Sequence, residues 1–174
     1  MKSIFISMVI VSGLFLGGCG EDPEKQAFRQ QLIEKALNDD THKAGTLFLA
    51  ENEKREGVVV TSSGLQYQIL HKSEQGEKPD YLHSVVVNYE GTRTDGVVFD
   101  SSYVRGKPST FPLKRVIKGW QEALLKMQTG DIWMLYVPAD LAYGATSPSK
   151  AIPANSVLVF KVELLAITDN KDSK

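Results

Sequence analysis

The chain has 174 residues, 42% of them hydrophobic and 9% aromatic, which suits one cored domain with additional segments. Its 20 basic and 21 acidic side chains leave a formal net charge of −1, so nothing marks a nucleic-acid partner. The single cysteine, Cys19, excludes an intramolecular disulfide, a CxxC redox pair and a cysteine-rich zinc site, and His42, His71 and His83 are too scattered to hold a metal.

Lys2 precedes an apolar run from Ile4 to Leu16, interrupted only by Ser7, Ser12 and Gly13. A positive start, an apolar run of this length and small residues at its end describe a secretory signal over residues 1–18. The run is shorter than the roughly 20 apolar residues of a membrane-spanning helix. It ends in Leu16-Gly17-Gly18-Cys19, which resembles the lipobox of bacterial lipoproteins. That resemblance implies cleavage before Cys19 and acylation of its side chain. Several acyl chains anchor stably, since each buried CH₂ is worth ~0.8 kcal/mol. Gly20, where lipoproteins of the inner membrane tend to carry Asp, points to the outer membrane, facing the periplasm.

Residues 19–57 read as a lipidated N-terminus and helical arm. A first helix is expected over 24–37, with Phe28, Leu32, Ile33, Ala36 and Leu37 on one side. Asn38-Asp39-Asp40-Thr41 breaks it and can cap a second helix, from about His42 to Glu56. In that helix Ala44, Leu47 and Phe48 share a face, Glu51 and Arg55 are spaced as an i,i+4 pair, and Gly57 is a stop. The arm can pack on the domain, form a homodimer or act as a stalk.

From Val58 the period changes. Leu65, Tyr67 and Ile69 alternate with polar residues as in a half-buried strand, and Ser84 to Tyr89 is rich in β-branched residues. Asp95-Gly96 signals a turn before Val97, Val98 and Phe99. Phe111 and Leu113 alternate again, and Gly119 to Met127 reads as a short helix. Ile132–Val137 and Ser156–Ile167 are strand candidates, and Thr168 to Lys174 is a polar tail. Many strands with one inserted helix make an α+β domain with an antiparallel sheet, over residues 58–167.

Four clusters stand out: Val87-Asn88-Tyr89-Glu90-Gly91; Asp95 to Ser102, containing Phe99 and Asp100; Val116-Ile117-Lys118-Gly119-Trp120; and Leu141-Ala142-Tyr143-Gly144 with Ala151-Ile152-Pro153, ahead of the strand holding Phe160. Singly, each has an ordinary reading. The aromatics are core, the tyrosines are strand ends with satisfied hydroxyls, Asp100 is a turn cap and Arg105 a surface charge. Together, in this order and spacing, they resemble the FKBP family of peptidyl-prolyl isomerases over Gly64 to Ala166. Leu47 to Leu70 is similar to the approach to that domain in the macrophage-infectivity-potentiator branch.

The resemblance implies a twisted antiparallel sheet wrapped over the short helix, with a shallow aromatic pocket for a proline ring. Tyr89, Phe99, Val116, Ile117, Trp120 and Phe160 match its apolar walls, Trp120 the floor. Asp100 and Tyr143 match the polar rim, and Ile152 the position whose backbone N–H meets a substrate carbonyl. Arg105 matches a residue that orients the aspartate and a tyrosine. The implied activity is isomerisation of X–Pro bonds in unfolded envelope proteins, with no metal or cofactor. A tacrolimus-type macrolide is a further implied ligand, although Ser109 replaces an aromatic on one wall. The other classes of function are a proline-binding chaperone module without turnover and a structural lipoprotein whose domain only docks a partner.

Overall fold

A computed structural model describes residue 22, residues 24–26, 28, 29, 31 and 32, and residues 39–169. The expected signal, Cys19, residues 33–38 of the first helix and the tail beyond residue 169 lie outside the described residues. From 24 to 32 the described residues are helical. No helix among the described residues is long and apolar enough to cross a membrane.

Helix α1 runs Asp40–Asn52. Asp39 caps it, its carboxylate accepting the Thr41 N–H at 2.6 Å. It stops before the expected Glu56 because Asn52 is buried and committed to the sheet, donating to Gln66 Oε1 at 2.8 Å. Arg55 donates to Asn52 Oδ1 (3.0 Å) and Glu51 pairs with Lys54 (2.8 Å), so the expected Glu51–Arg55 pair does not form. The buried stripe also differs. Ala44 and Leu47 face solvent, while Gly45, against Val157, and Asn52 are covered. Phe48 meets the Tyr136 ring at 6.1 Å. The sheet surface, more than the helix's own weak amphipathicity, selects which side is down.

Seven strands follow: β1 (Val58–Val60), β2 (Gln66–His71), β3 (His83–Arg93), β4 (Val98–Ser101), β5 (Ser109–Pro112), β6 (Ile132–Val137) and β7 (Leu158–Asp169). Their order is β1-β2-β6-β7-β3-β4, all neighbours antiparallel, with β5 on the first half of β3. Thr168 and Asp169, expected in the polar tail, extend β7 by pairing with Ser84 and His83. Between β5 and β6 lie a 3₁₀ turn (Leu113–Arg115) and helix α2 (Lys118–Leu124). α2 ends short of the expected Met127, although the Met127 N–H still reaches the Ala123 carbonyl at 3.0 Å.

The core lies between α2 and one face of the sheet. Period-two alternation places Val85, Val87 and Tyr89 of β3, Trp133, Leu135 and Val137 of β6, and Leu158, Phe160, Val162 and Leu164 of β7 inward, all buried. Trp120, Ala123 and Leu124 of α2 meet them. Gly119 lets α2 come this close: a Cβ there would lie 2.5 Å from Val137 Cγ1. The helix covers only the start of β2 and the strand's far end is open, so the simple alternation fails. Gln66 is buried beneath α1, while Ile69 is 41% exposed.

Candidate functional site

Trp120 is the centre of the site. Its ring meets Tyr89 of β3, Phe160 of β7 and Phe111 of β5 edge to face, at 5.2, 5.3 and 6.0 Å between centroids. Such pairs are worth ~0.5–1.5 kcal/mol each beyond area burial. They offset the ~1–3 kcal/mol cost of its buried indole N–H, which lacks a hydrogen-bond partner among the described residues. Phe99 of β4 stands perpendicular to Phe160 at 5.6 Å.

Gly91 makes that last contact possible. It pairs with Asp100 on one side and Phe160 on the other. A Cβ on it would lie 2.7 Å from the Phe99 ring and 2.8 Å from the Phe160 ring. Its missing side chain is therefore the space in which two aromatic walls meet.

These rings, with Asp100, Arg115, Val116, Ile117 and Tyr143, line a cavity of about 260 Å³. That is below the ~300–1,000 Å³ of drug-sized ligand sites and suits a group the size of one small ring. Its lip is held by Gln121, whose Nε2 donates to the carbonyls of Val116 (2.8 Å) and Lys114 (3.3 Å). The Ile117 N–H has no acceptor among the described residues.

The polar side of the cavity is a closed cluster. The Tyr89 hydroxyl donates to Asp100, and Arg105 forms an ion pair with the same carboxylate. Arg105 also donates to Tyr89 Oη (2.9 Å) and Ser109 Oγ (3.0 Å), with its guanidinium 5.4 Å from the Tyr89 ring centroid. Burial pushes the Asp100 carboxyl up, but the hydrogen bonds from Tyr89 and Arg105 and the Arg105 charge outweigh it, so it stays below the usual carboxylate range. Burial, then the bond to Asp100, pushes the Tyr89 phenol up against the opposing effect of Arg105. At neutral pH the phenol is neutral and the carboxylate ionised and compensated. Ser102, fully buried, ties the following loop to β3: its N–H reaches the Tyr89 carbonyl (2.9 Å) and its Oγ accepts the Tyr89 N–H (2.8 Å).

The structure therefore gathers Tyr89, Phe99, Asp100, Val116, Ile117, Trp120, Tyr143 and Phe160 at one cavity, with Arg105 behind Asp100 and Tyr89. Ile152 is a correction. Its N–H, expected to meet a substrate, donates to the Ser149 carbonyl at 3.1 Å, and Ile152 is buried outside the cavity lining. The loop from Tyr143 to Asn155 closes on itself, with Thr146 N–H on Tyr143 O (3.1 Å) and Asn155 N–H on Gly144 O (2.7 Å), and consumes that donor internally. Sequence reasoning missed Phe111 and Arg115, both in the lining. The inward alternation of β5 was a signal for Phe111; adjacency to Val116 and Ile117 was the signal for Arg115. Among the described residues no group of three or more His, Cys, Asp or Glu could hold a metal.

A family model described as FKBP-type peptidyl-prolyl cis-trans isomerase matches residues 75–165. A second, described as the domain amino-terminal to that isomerase, matches residues 22–69. Peptidyl-prolyl cis-trans isomerase Mip of Coxiella burnetii is 51% identical over 120 residues, covering 69% of this chain and 52% of that protein. Outer membrane protein MIP of Legionella longbeachae is 46% identical over 123 residues, covering 71% and 52%. The chain thus spans about half the length of these curated relatives. Among solved structures, FkpA from Escherichia coli superimposes with a TM-score of 0.72 at 39% identity, covering 84% of this chain and 70% of that one. A peptidyl-prolyl isomerase from Pseudomonas syringae gives 0.69 at 38% identity, covering 78% and 96%.

Proposed function

Because the chain belongs to the FKBP-type peptidyl-prolyl cis-trans isomerases, we propose that it catalyses rotation about X–Pro bonds in proline-containing, unfolded or partly folded chains of a bacterial envelope. The observation that carries this reading is the small aromatic well over Trp120, whose one carboxylate, Asp100, is fully compensated.

The chemistry needs little more. Amide resonance sets a barrier of ~18–20 kcal/mol, while X–Pro isomers differ by only ~0.5–1 kcal/mol. A catalyst must hold the twisted imide better than either planar form. Twisting removes the charge separation of the amide, so a dry, apolar well favours it. Trp120 is the floor; Tyr89, Phe99, Val116, Ile117 and Phe160 are the walls. The Ile117 N–H, in place of Ile152, takes a substrate carbonyl, and Tyr143 at the open rim fixes the chain on the other side of the rotating bond. Arg105, through Asp100 and Tyr89, keeps the polar rim in shape. The ring of a tacrolimus-type macrolide would use the same well, with Ser109 leaving one side low.

The lipobox at Leu16 to Cys19 supports a chain acylated at Cys19 and held at the outer membrane, with residues 19–57 as the arm and the isomerase domain from Val58 to the end of β7. The test is exchange NMR, or a protease-coupled assay, on an Ala-Leu-Pro-Phe-type peptide. Acceleration that Trp120→Ala abolishes is expected. Binding without acceleration would reassign the domain to a non-catalytic proline-binding chaperone. Metabolic labelling with a fatty acid, lost in Cys19→Ser, checks the anchor.

A further inference from the structure

The lip of the aromatic well is basic. Lys114-Arg115-Val116-Ile117-Lys118 carries three cations in five residues, in a chain whose net charge is −1. All three are exposed, and Arg115 itself lines the cavity. Among the described residues neither Lys114 nor Lys118 forms an ion pair. The acid that lines the same cavity, Asp100, is matched by Arg105, so it does not cancel the field of the lip. Glu122, one turn along α2, accepts a hydrogen bond from Ser63 Oγ at 2.5 Å. The backbone carrying the cations is pinned by the two bonds from Gln121, so these side chains start from a fixed stretch of chain beside Val116 and Ile117.

A chain whose proline fills the well must lay an adjoining residue along this lip. We infer that the site, read as a prolyl isomerase site as proposed above, selects chains with Asp or Glu next to the proline. Arg115 is the specificity-determining residue, and Lys114 and Lys118 add to its field. Hydrophobic contact alone would leave the adjoining residue chosen by size. The lip adds a choice by sign of charge: a carboxylate is drawn in and an ammonium repelled. The cations are solvent-exposed, so each interaction is small and falls with salt, the Debye length being about 10 Å at 0.1 M. Replacing Glu by Lys in the substrate reverses attraction into repulsion, which makes the ratio of the two larger than either effect.

The experiment is exchange NMR with the full-length chain in detergent. Two peptide series carry Glu, Ala or Lys, one immediately before proline and one immediately after. In at least one series kcat/KM for Glu should exceed that for Lys about five- to tenfold at ~10 mM salt. The ratio should shrink to about twofold at ~0.5 M, with the difference in KM rather than kcat. Arg115→Glu should erase or invert the ratio, while Arg115→Lys keeps most of it. Lys118→Glu gives a second, smaller reduction. A ratio near one in both series with the Ala peptides still accelerated overturns this inference and leaves the isomerase reading standing. Failure to accelerate any peptide overturns both. A ratio near one, with phosphatidylglycerol vesicles slowing all peptides alike, would reassign the lip to a lipid surface.

Discussion

Gly91→Ala adds one methyl group at the point where Phe99 and Phe160 meet. The new Cβ would sit 2.7 Å from two Phe99 ring atoms and 2.8 Å from one of Phe160, against the ~3.5–4.0 Å of a relaxed carbon contact. Phe160, 5% exposed and 5.3 Å from the Trp120 centroid, has nowhere to retreat. Phe99 is half-buried and must yield, and the space beside it is the cavity. Overpacking of this kind costs about 1–3 kcal/mol, a fall in Tm of about 4–12 °C. With Phe99 displaced, kcat/KM per folded molecule should fall about tenfold, equivalent to ~1.4 kcal/mol of transition-state binding. Gly96→Ala is the control. A Cβ there meets nothing within 4 Å, but its φ of +84° is unfavourable for alanine, so it should lose ~1–2 kcal/mol of stability while keeping its activity. The two proteins are compared by thermal denaturation and by exchange NMR on one peptide. If Gly91→Ala turns over like Gly96→Ala at a temperature where both are folded, the Phe99–Phe160 wall does not shape the well.

Tyr143→Phe combined with Asp100→Val removes the hydroxyl at the open rim and the carboxylate beneath it. A loss of about tenfold or more in kcat/KM is expected, since one hydrogen bond nets ~0.5–1.5 kcal/mol; an unchanged value would leave the polar rim without a role. Asp100 has a folded-state pKa below its ordinary value of 3.8, so the cluster's contribution to stability is complete above that value and lost as pH falls through the lower one. Asp100→Asn should flatten that acid limb in denaturation at pH 2–5, and Arg105→Ala should move the Asp100 carboxyl upward in an NMR titration, because the hydrogen bond and the charge of Arg105 that hold it down are then lost while burial still pushes it up. Asn52→Ala leaves Gln66 Oε1 without its 2.8 Å donor beneath α1. It should cost ~1–3 kcal/mol in urea denaturation without altering kcat/KM, since Asn52 lies outside the cavity lining.

Sequence alone determined what depends on local periodicity and on residue type. Ile132–Val137 is a short, continuous apolar run rich in strand-forming residues, so its strand bounds could be read from the chain, and Asp95-Gly96 announced its turn because few residues other than glycine tolerate a positive φ. The aromatic set Tyr89, Phe99, Trp120, Tyr143 and Phe160 was legible only through its joint resemblance to the FKBP family; taken singly, each ring reads as core. What tertiary structure alone decided are matters of who lies opposite whom. Whether Gly45 or Leu47 faces the sheet follows from the sheet's surface, and α1's own pattern does not contain it. The Ile152 amide is spent on Ser149 because a loop folds back on itself, a fact about closure rather than composition. The space at Gly91 exists only because β4 and β7 flank β3 on its two edges there. The well is small and walled for that reason: strands distant in sequence bring their rings together over one tryptophan, and no local pattern along the chain encodes that distance.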